Sequence, residues 1–531
     1  MTKRIKIFTA LASILLVIAL MAGCGGNGGA DAGGDTQDTT QGQQTQQTQQ
    51  QEQAPAVTAV AQDVMSMNLT ADIANLIPQQ TAANPDFRVF TLIFSNLVRQ
   101  VEEGFIPNAA ERWELSDDGL TYTFYLRQDV LFHNGDLMTA SDVVFTFEQA
   151  LASPFVAAPL DAIASVTAVD DFTVQFGLYD PFAPFLLSLS SIWIVNEAVI
   201  TEQGDDAGRH PIGSGPYKFV EHQPGRSVYL TRFDDYFGGP AIIRDIELMV
   251  ILNPATLSIA VEAGDIDLAT NVPPGDFARL SGLANLQMTF LETNSINFAT
   301  INTLLPPFDD VRVREAIARA VDREGMIAMV ADGHGNAATS FLNSLTFGYD
   351  PGATAFPRDV ALAQELLAEA GFPNGFNTTI MTVGGGGIFE SIAQVLQANL
   401  SEIGITATIE LLDQAVAINN LLTHNYEIGI LAIALPLDAD AWDAFLGTGG
   451  GLNMSGMSDP EVDAWFTEAR ATVDAARRLE LYRNIQTRVN EQVPIIPLYF
   501  PISAYVHDAN LQMPWIDAVG NFRFDEVRWT D

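Results

Sequence analysis

Residues 117–127 read Asp-Asp-Gly-Leu-Thr-Tyr-Thr-Phe-Tyr-Leu-Arg, and Thr139-Ala-Ser-Asp142 follows shortly after. Within the first stretch Leu120, Tyr122, Phe124 and Leu126 alternate with Thr121, Thr123 and Tyr125, the period-two pattern of a half-buried strand. Asp117-Asp118-Gly119 is a turn signal, so residues 113–115 are placed to pair with that strand in a hairpin. The Thr139 hydroxyl can accept the free amides of a first helical turn, and Val143, Val144, Phe147 and Leu151 then follow at helical spacing. Strand and helix in direct succession predict an α/β chain.

Working outward, the same interleaving persists. Residues 217–220 read as a strand. A helix starts at Asp309 or Asp310, with Val313, Ala316, Ile317, Ala320 and Val321 as one apolar stripe and Arg312, Arg314, Arg319 and Arg323 off it. A helix over 360–370 stops at Gly371, and another over 391–403 ends at Gly404. Residues 405–411 alternate as a strand, 428–437 read as a buried strand, and 462–469 and 479–493 read as late helices. Mixed sheets with helices packed on them follow, rather than a sandwich or a bundle.

The chain has 531 residues, enough for two or three domains, and a net charge of -40. Such a surface repels nucleic acid, which needs basic patches. Residues 1–6 carry Lys3, Arg4 and Lys6, residues 7–21 are almost wholly apolar, and Leu20-Met21-Ala22-Gly23-Cys24 closes the segment. A basic start, a short apolar run and a small-residue end describe a secretory signal peptide. The end resembles a bacterial lipobox, with Met21 where leucine is commoner. Cys24, the only cysteine, is then expected to carry lipid and to hold the mature chain, with a charge near -43, on a membrane surface. Residues 25–53 are Gly- and then Thr/Gln-rich, without aromatic or large aliphatic residues, and are expected to be a disordered tether.

Of the six histidines, none pairs at helical spacing and none lies in an H-E-x-x-H, so no metal site and no cofactor is expected. Gly213-Ser-Gly-Pro-Tyr217 lacks the G-x-S-x-G order of a nucleophile elbow and reads as a turn. The run Gly384, Gly385, Gly386 and Gly387 fits a loop at the mouth of a pocket or a plain surface loop. Asp438, Asp440 and Trp442 follow the buried strand. A carboxylate beside an indole face there suits an ammonium group, and the same residues equally fit an N-cap with its helix. No catalytic constellation stands out, and the chain is expected not to be an enzyme.

Five blocks in order resemble the bacterial extracellular solute-binding proteins of family 5, which serve ABC importers of peptides, nickel chelates and some oligosaccharides. They are Ala110-Glu-Arg-Trp-Glu through Arg127 with Phe132-His-Asn-Gly135 and 139–145; His210-Pro-Ile-Gly-Ser-Gly-Pro-Tyr217 with Asp235-Tyr236; Asn302 with 307–316 and 320–323; Leu366-Leu-Ala-Glu-Ala-Gly371 with Gly375-Phe376; and Pro494-Ile-Ile-Pro-Leu498. The resemblance implies a two-lobed periplasmic-binding-protein fold of type II, in the large cluster with an extra subdomain, hinged around a cleft.

The layout it implies is a signal peptide at 1–23, a lipidated tether at 24–54, lobe one at 55–98, its subdomain at 99–212, lobe one again at 213–291, lobe two at 292–491 and a return to lobe one at 492–531. Hinge crossings are expected near Glu292 and Glu491. A ligand bridging both lobes would favour closure, and the partners would be ABC permease subunits with cytoplasmic ATPases, which would read the closed surface of a monomer held outside the cytoplasm. By the same resemblance Asp440, then Asp438, is the counterpart of an aspartate that holds a peptide's amino group. Family dipeptide binders place an arginine where this chain has the glycine run, so an oligopeptide leaving past the glycines is expected over a dipeptide. An oligosaccharide stacked on Trp442, Trp193 or Trp113, a nickel chelate, or a secreted hydrolase acting through Ser214 are the alternatives.

Overall fold

The structure is a computed structural model that describes residues 63–101, 104–353, 356–385, 387–513 and 524–530. The expected signal peptide, Cys24, the tether and Gly386 lie outside the described residues.

Among the described residues twelve strands join in one mixed sheet organised around Ile495–Asp508. The first half of that strand pairs antiparallel with Ser295–Ile301, and its second half pairs with Leu268–Thr270 and Leu286–Glu292. Outward on one side lie Ile428–Ala434, Asn377–Val383 and Thr406–Leu412; outward on the other lie Val64–Leu69, Asp245–Val250, Ser227–Arg232 and Tyr217–Gln223. Two lobes therefore share one long strand. The outward crossing falls at Thr293 and Asn294, between two strands that pair with it at opposite ends. Packing also changes along the long strand itself. Ile495 and Phe500 pack in the core with Trp442 and Tyr482, whereas Ala504 and Val506 pack with Leu257 and Val261. Strand pairing carries the chain across while hydrogen bonding continues, so no helix end or glycine marks the place.

The hairpin Ala110–Leu115 and Thr121–Leu126 forms as its alternation predicts, with Trp113 opposite Phe124 and Leu115 opposite Tyr122. Tyr122, Phe124 and Leu126 are buried. With Thr173–Leu178 and Ile163–Asp170 these strands make a separate antiparallel sheet covered by the helix Ala140–Ala152. That helix starts in a capping box: the Thr139 side chain faces the Asp142 N–H, as expected, and the Asp142 carboxylate accepts the Thr139 N–H at 2.9 Å in return.

In the helix Val311–Ala320 the stripe Val313, Ala316, Ile317 and Ala320 is fully buried. Arg314, expected off the stripe, is buried as well; its guanidinium donates to the carbonyls of Gln492, Phe308 and Asp309. Backbone carbonyl oxygens at the ends of two helices replace the solvent that the charge gives up.

Gly213-Ser-Gly215 is a close crossing of backbones. A Cβ at Gly213 would stand 2.0 Å from the Ile93 carbonyl oxygen, and one at Gly215 would stand 2.5 Å from that of Leu92. His133 of the Phe-His-Asn-Gly block clamps this turn. Its Nδ1 accepts the Gly213 N–H at 3.3 Å, so Nε2–H donates to the Gly215 carbonyl at 3.0 Å. Burial pushes this imidazole down to about 4, which keeps it in the neutral form the clamp needs. Ser214 is fully buried under the same turn.

Candidate functional site

A cavity of about 890 Å³ opens between the lobes. Its first wall carries Phe94, Ser95, Arg99 and Trp193; the facing wall carries Leu435, Leu437, Asp440 and Arg470. This size lies within the range of pockets that enclose a drug-sized ligand.

The facing wall is built by the end of the strand Ile428–Ala434. That strand is almost wholly buried, as its apolar run predicts, and it stops before Pro436, which cannot extend a ladder. Asn294 at the lobe crossing donates from its side-chain amide to the Leu435 carbonyl, tying the exit of the strand to the hinge. The chain then docks on Phe347 through its N–H to the Leu437 carbonyl at 2.9 Å and the Ala439 N–H to the Phe347 carbonyl at 3.0 Å.

Asp438 and Asp440, two residues apart, receive different tasks. The Asp438 carboxylate accepts the Asp440 N–H at 3.0 Å, two contacts from Arg478 at 2.8 and 2.9 Å, and the Tyr482 hydroxyl at 3.1 Å. Both members of that ion pair are buried, and Arg478 also lies over the Phe347 ring. Asp438 is thus spent on holding the loop to the helix Ala475–Gln492.

Both acids line the cavity with similar exposure, 10% for Asp438 and 11% for Asp440, and they differ in their partners. Arg470 Nε reaches both oxygens of Asp440 at 3.1 Å and spreads its other arm to Asp443 at 2.7 Å. Burial raises the Asp440 carboxyl to about 6, against the opposing pull of Arg470. Two carboxylates share one guanidinium, which leaves uncompensated negative charge in a largely buried wall.

Trp442, expected beside the ligand, is a core residue. It is 3% exposed and packs against Phe298, Phe341 and Phe445. The short helical turn Ala439–Trp442 rotates its indole to the side of the chain away from the cavity. Gly384 and Gly385 follow the strand Asn377–Val383, two strands from the lobe crossing; Gly384 packs against Leu411, and neither lines the cavity. Trp193 does line it, with its indole stacked on Phe87 at 5.5 Å and its carbonyl held by Gln79. Among the described residues no group of three His, Cys, Asp or Glu stands together as metal ligands would, and no helix is long and apolar enough to cross a membrane.

Sequence reasoning missed Arg470 and Ala183. The Ala183 N–H, in the loop after the strand Thr173–Leu178, donates to the Arg470 carbonyl at 2.8 Å and so bridges the cleft. A backbone donor carries no residue signature, and the partners of Arg470, the one cation of the helix Pro460–Ala471, lie about thirty residues upstream.

The family described as bacterial extracellular solute-binding proteins, family 5 Middle, matches residues 104–451. Di/tripeptide-binding protein 1 of Pseudomonas aeruginosa (strain UCBPP-PA14) is 30% identical over 481 residues, 82% of this chain and 89% of that protein. Heme-binding protein A of Haemophilus influenzae is 29% identical over 429 residues, 74% of this chain and 78% of that protein. Among solved structures, the ABC transporter substrate-binding protein CtaP of Listeria monocytogenes superposes with a TM-score of 0.82 at 25% identity, over 89% of this chain and all of that one. HbpA2 of Haemophilus parasuis superposes with a TM-score of 0.81 at 26% identity, over 88% of this chain and 99% of that one. With two lobes, an interlobe cavity and this match, the chain belongs to the bacterial extracellular solute-binding proteins of family 5.

Proposed function

We propose that the protein captures short peptides in the interlobe cavity and hands them unaltered to an ABC permease, with lipid on Cys24 as its anchor at the outer face of the membrane. In this reading lobe one comprises 55–98, 213–291 and the C-terminal return, with 99–212 as its subdomain and lobe two between. The observation that carries the reading is the excess negative charge at Asp440 and Asp443 around a single Arg470. A terminal ammonium completes that arrangement in a wall where water does not. Relatives that bind di- and tripeptides support the ligand class. The expectation of a longer peptide rests on the arginine absent from the glycine run and on an exit past the glycines; Gly384, Gly385 and Gly387 do not line the cavity, and its volume suits peptides of a few residues. Trp193 on the first wall favours a second reading, an oligosaccharide stacked on the indole.

Native mass spectrometry of the purified protein, followed by calorimetry with di-, tri- and tetrapeptides and their N-acetylated forms, tests the proposal. Binding of free peptides with marked loss on acetylation is the expected result. Equal binding of acetylated peptides removes the amine anchor, and binding of sugars with none of peptides favours the second reading.

A further inference from the structure

The lining of the cavity divides by chemistry. Its aromatic residues are Phe94, Tyr179, Phe182, Trp193, Tyr236 and Phe524, and all of them stand outside the wall built by 434–441 and Arg470, which carries the Asp440 charge and no aromatic ring.

Strand periodicity sets the direction of one of these rings. In Thr173–Leu178 the buried residues are Val174, Phe176 and Leu178, which face the core under the helix Ala140–Ala152. Alternation sends the next side chain, Tyr179, to the opposite face. Tyr179 lines the cavity and is 66% exposed; among the described residues no other phenylalanine, tyrosine or tryptophan is as exposed. The backbone that carries it is fixed. The Tyr179 N–H donates to the Ala162 carbonyl at 3.0 Å, Pro181 and Pro184 hold their own φ, and the Ala183 N–H donates to the Arg470 carbonyl at 2.8 Å.

Trp193 reaches the cavity by a separate route. Its indole stacks on Phe87 at 5.5 Å and meets Phe90 at 5.3 Å, and Phe90 meets Phe94 at 5.8 Å. These rings form one cluster that shows Trp193 and Phe94 to the cavity. Two segments remote along the chain thus bring aromatic faces to the same space. Covering such a face with another ring removes apolar area from water on both partners, and ring pairs gain from edge and face contacts that an aliphatic side chain lacks.

The distance to the amine anchor is bounded by the chain. Tyr179 precedes Ala183 by four residues, which span at most about 14 Å, and Ala183 is bonded across the cleft to Arg470, which holds Asp440. Tyr179 and Asp440 are therefore the ends of one short bonded path, on the scale of a peptide of a few residues.

We infer that the cleft selects short peptides bearing an aromatic side chain, and that Tyr179 is the specificity-determining residue that receives it, with Trp193 and Phe94 as the second aromatic face of the cavity. This selection rests on the peptide reading of the cleft. The anchor at Asp440 recognises what every peptide has; the aromatic wall distinguishes one peptide from another.

Calorimetry of the purified protein with Ala-Ala-Ala and with the positional isomers of the tripeptides in which one alanine is replaced by phenylalanine or by leucine tests it. The best phenylalanine isomer should bind about tenfold or more tightly than Ala-Ala-Ala, with the leucine peptide of the same order between the two. In Tyr179→Ala the ratio of phenylalanine-peptide to Ala-Ala-Ala affinity should fall several-fold, whereas Tyr179→Phe, which keeps the ring, should retain it. The exposed position leaves the core untouched by either substitution, and circular dichroism checks the fold. Equal affinity across the wild-type series, leucine matching phenylalanine, or a ratio unchanged in Tyr179→Ala each overturns the aromatic selection while the peptide reading stands. No binding of any of these peptides overturns the peptide reading and the selection with it.

Discussion

The Ala183 N–H donates to the Arg470 carbonyl across the cleft at 2.8 Å, while the guanidinium of the same Arg470 pairs with Asp440 and Asp443. One residue thus touches the opposite lobe with its backbone and the ligand wall with its side chain. On the proposed reading, occupation of Asp440 and closure of the cleft would be coupled through Arg470. Ala183→Pro removes the donor without touching the acidic wall. A lost hydrogen bond of about 0.5–1.5 kcal/mol should weaken peptide affinity roughly two- to tenfold, mostly through faster release, as stopped-flow displacement would record. Unchanged release rates would sink the coupling.

Asp440→Asn keeps the shape of the wall and removes its charge. Loss of a charged partner for the ligand's ammonium costs about 1.5–3 kcal/mol, so free peptides should bind at least tenfold more weakly, whereas N-acetylated peptides should be little affected. Calorimetry with matched pairs reads the difference.

The same carboxylate makes binding pH-dependent. Burial holds Asp440 at about 6, above its ordinary 3.8. The ammonium of a ligand needs the ionised form, so affinity should be full above pH 6 and fall as pH drops through 6, by about tenfold at pH 5. Asp440→Asn should flatten that profile. A wild-type profile already flat between pH 7 and 5 would rule out Asp440 as the anchor.

Asp438 governs stability. Its removal leaves Arg478 charged and buried without its counter-ion, which costs about 3–5 kcal/mol. Asp438→Ala should lower the thermal midpoint by several degrees, read by calorimetric melting, whereas a binding role alone would leave the midpoint of the ligand-free protein in place.

Trp193 and Trp442 separate by fluorescence. Trp193 lines the cavity and Trp442 packs in the core. A ligand-induced change in tryptophan emission should vanish in Trp193→Phe and persist in Trp442→Phe; the reverse would move the ligand to the second lobe's interior.

Elements whose residues interact with near neighbours were legible from the sequence. The alternation at 120–126, the stripe from Val313 to Ala320 and the stop at Gly371 each encode a local geometry, and the structure builds each one. The change of partners along the strand Ile495–Asp508 was not, because no break in its own pattern marks it. Trp442 was misread because one helical turn decides which way an indole faces, and a motif of acids and an aromatic reads the same in either orientation.

By itself the sequence determined the α/β alternation, the order of five family blocks and an acidic stretch after a buried strand. Only the tertiary structure decided which partners each acid of that stretch received. Asp438 and Asp440 look alike in sequence and both line the cavity; Arg478, forty residues on, holds Asp438 in a buried pair with Tyr482 beside it, whereas Arg470, thirty residues on, is shared between Asp440 and Asp443. The charge state of a carboxylate depends on what surrounds it in space, and those partners are brought by elements remote along the chain.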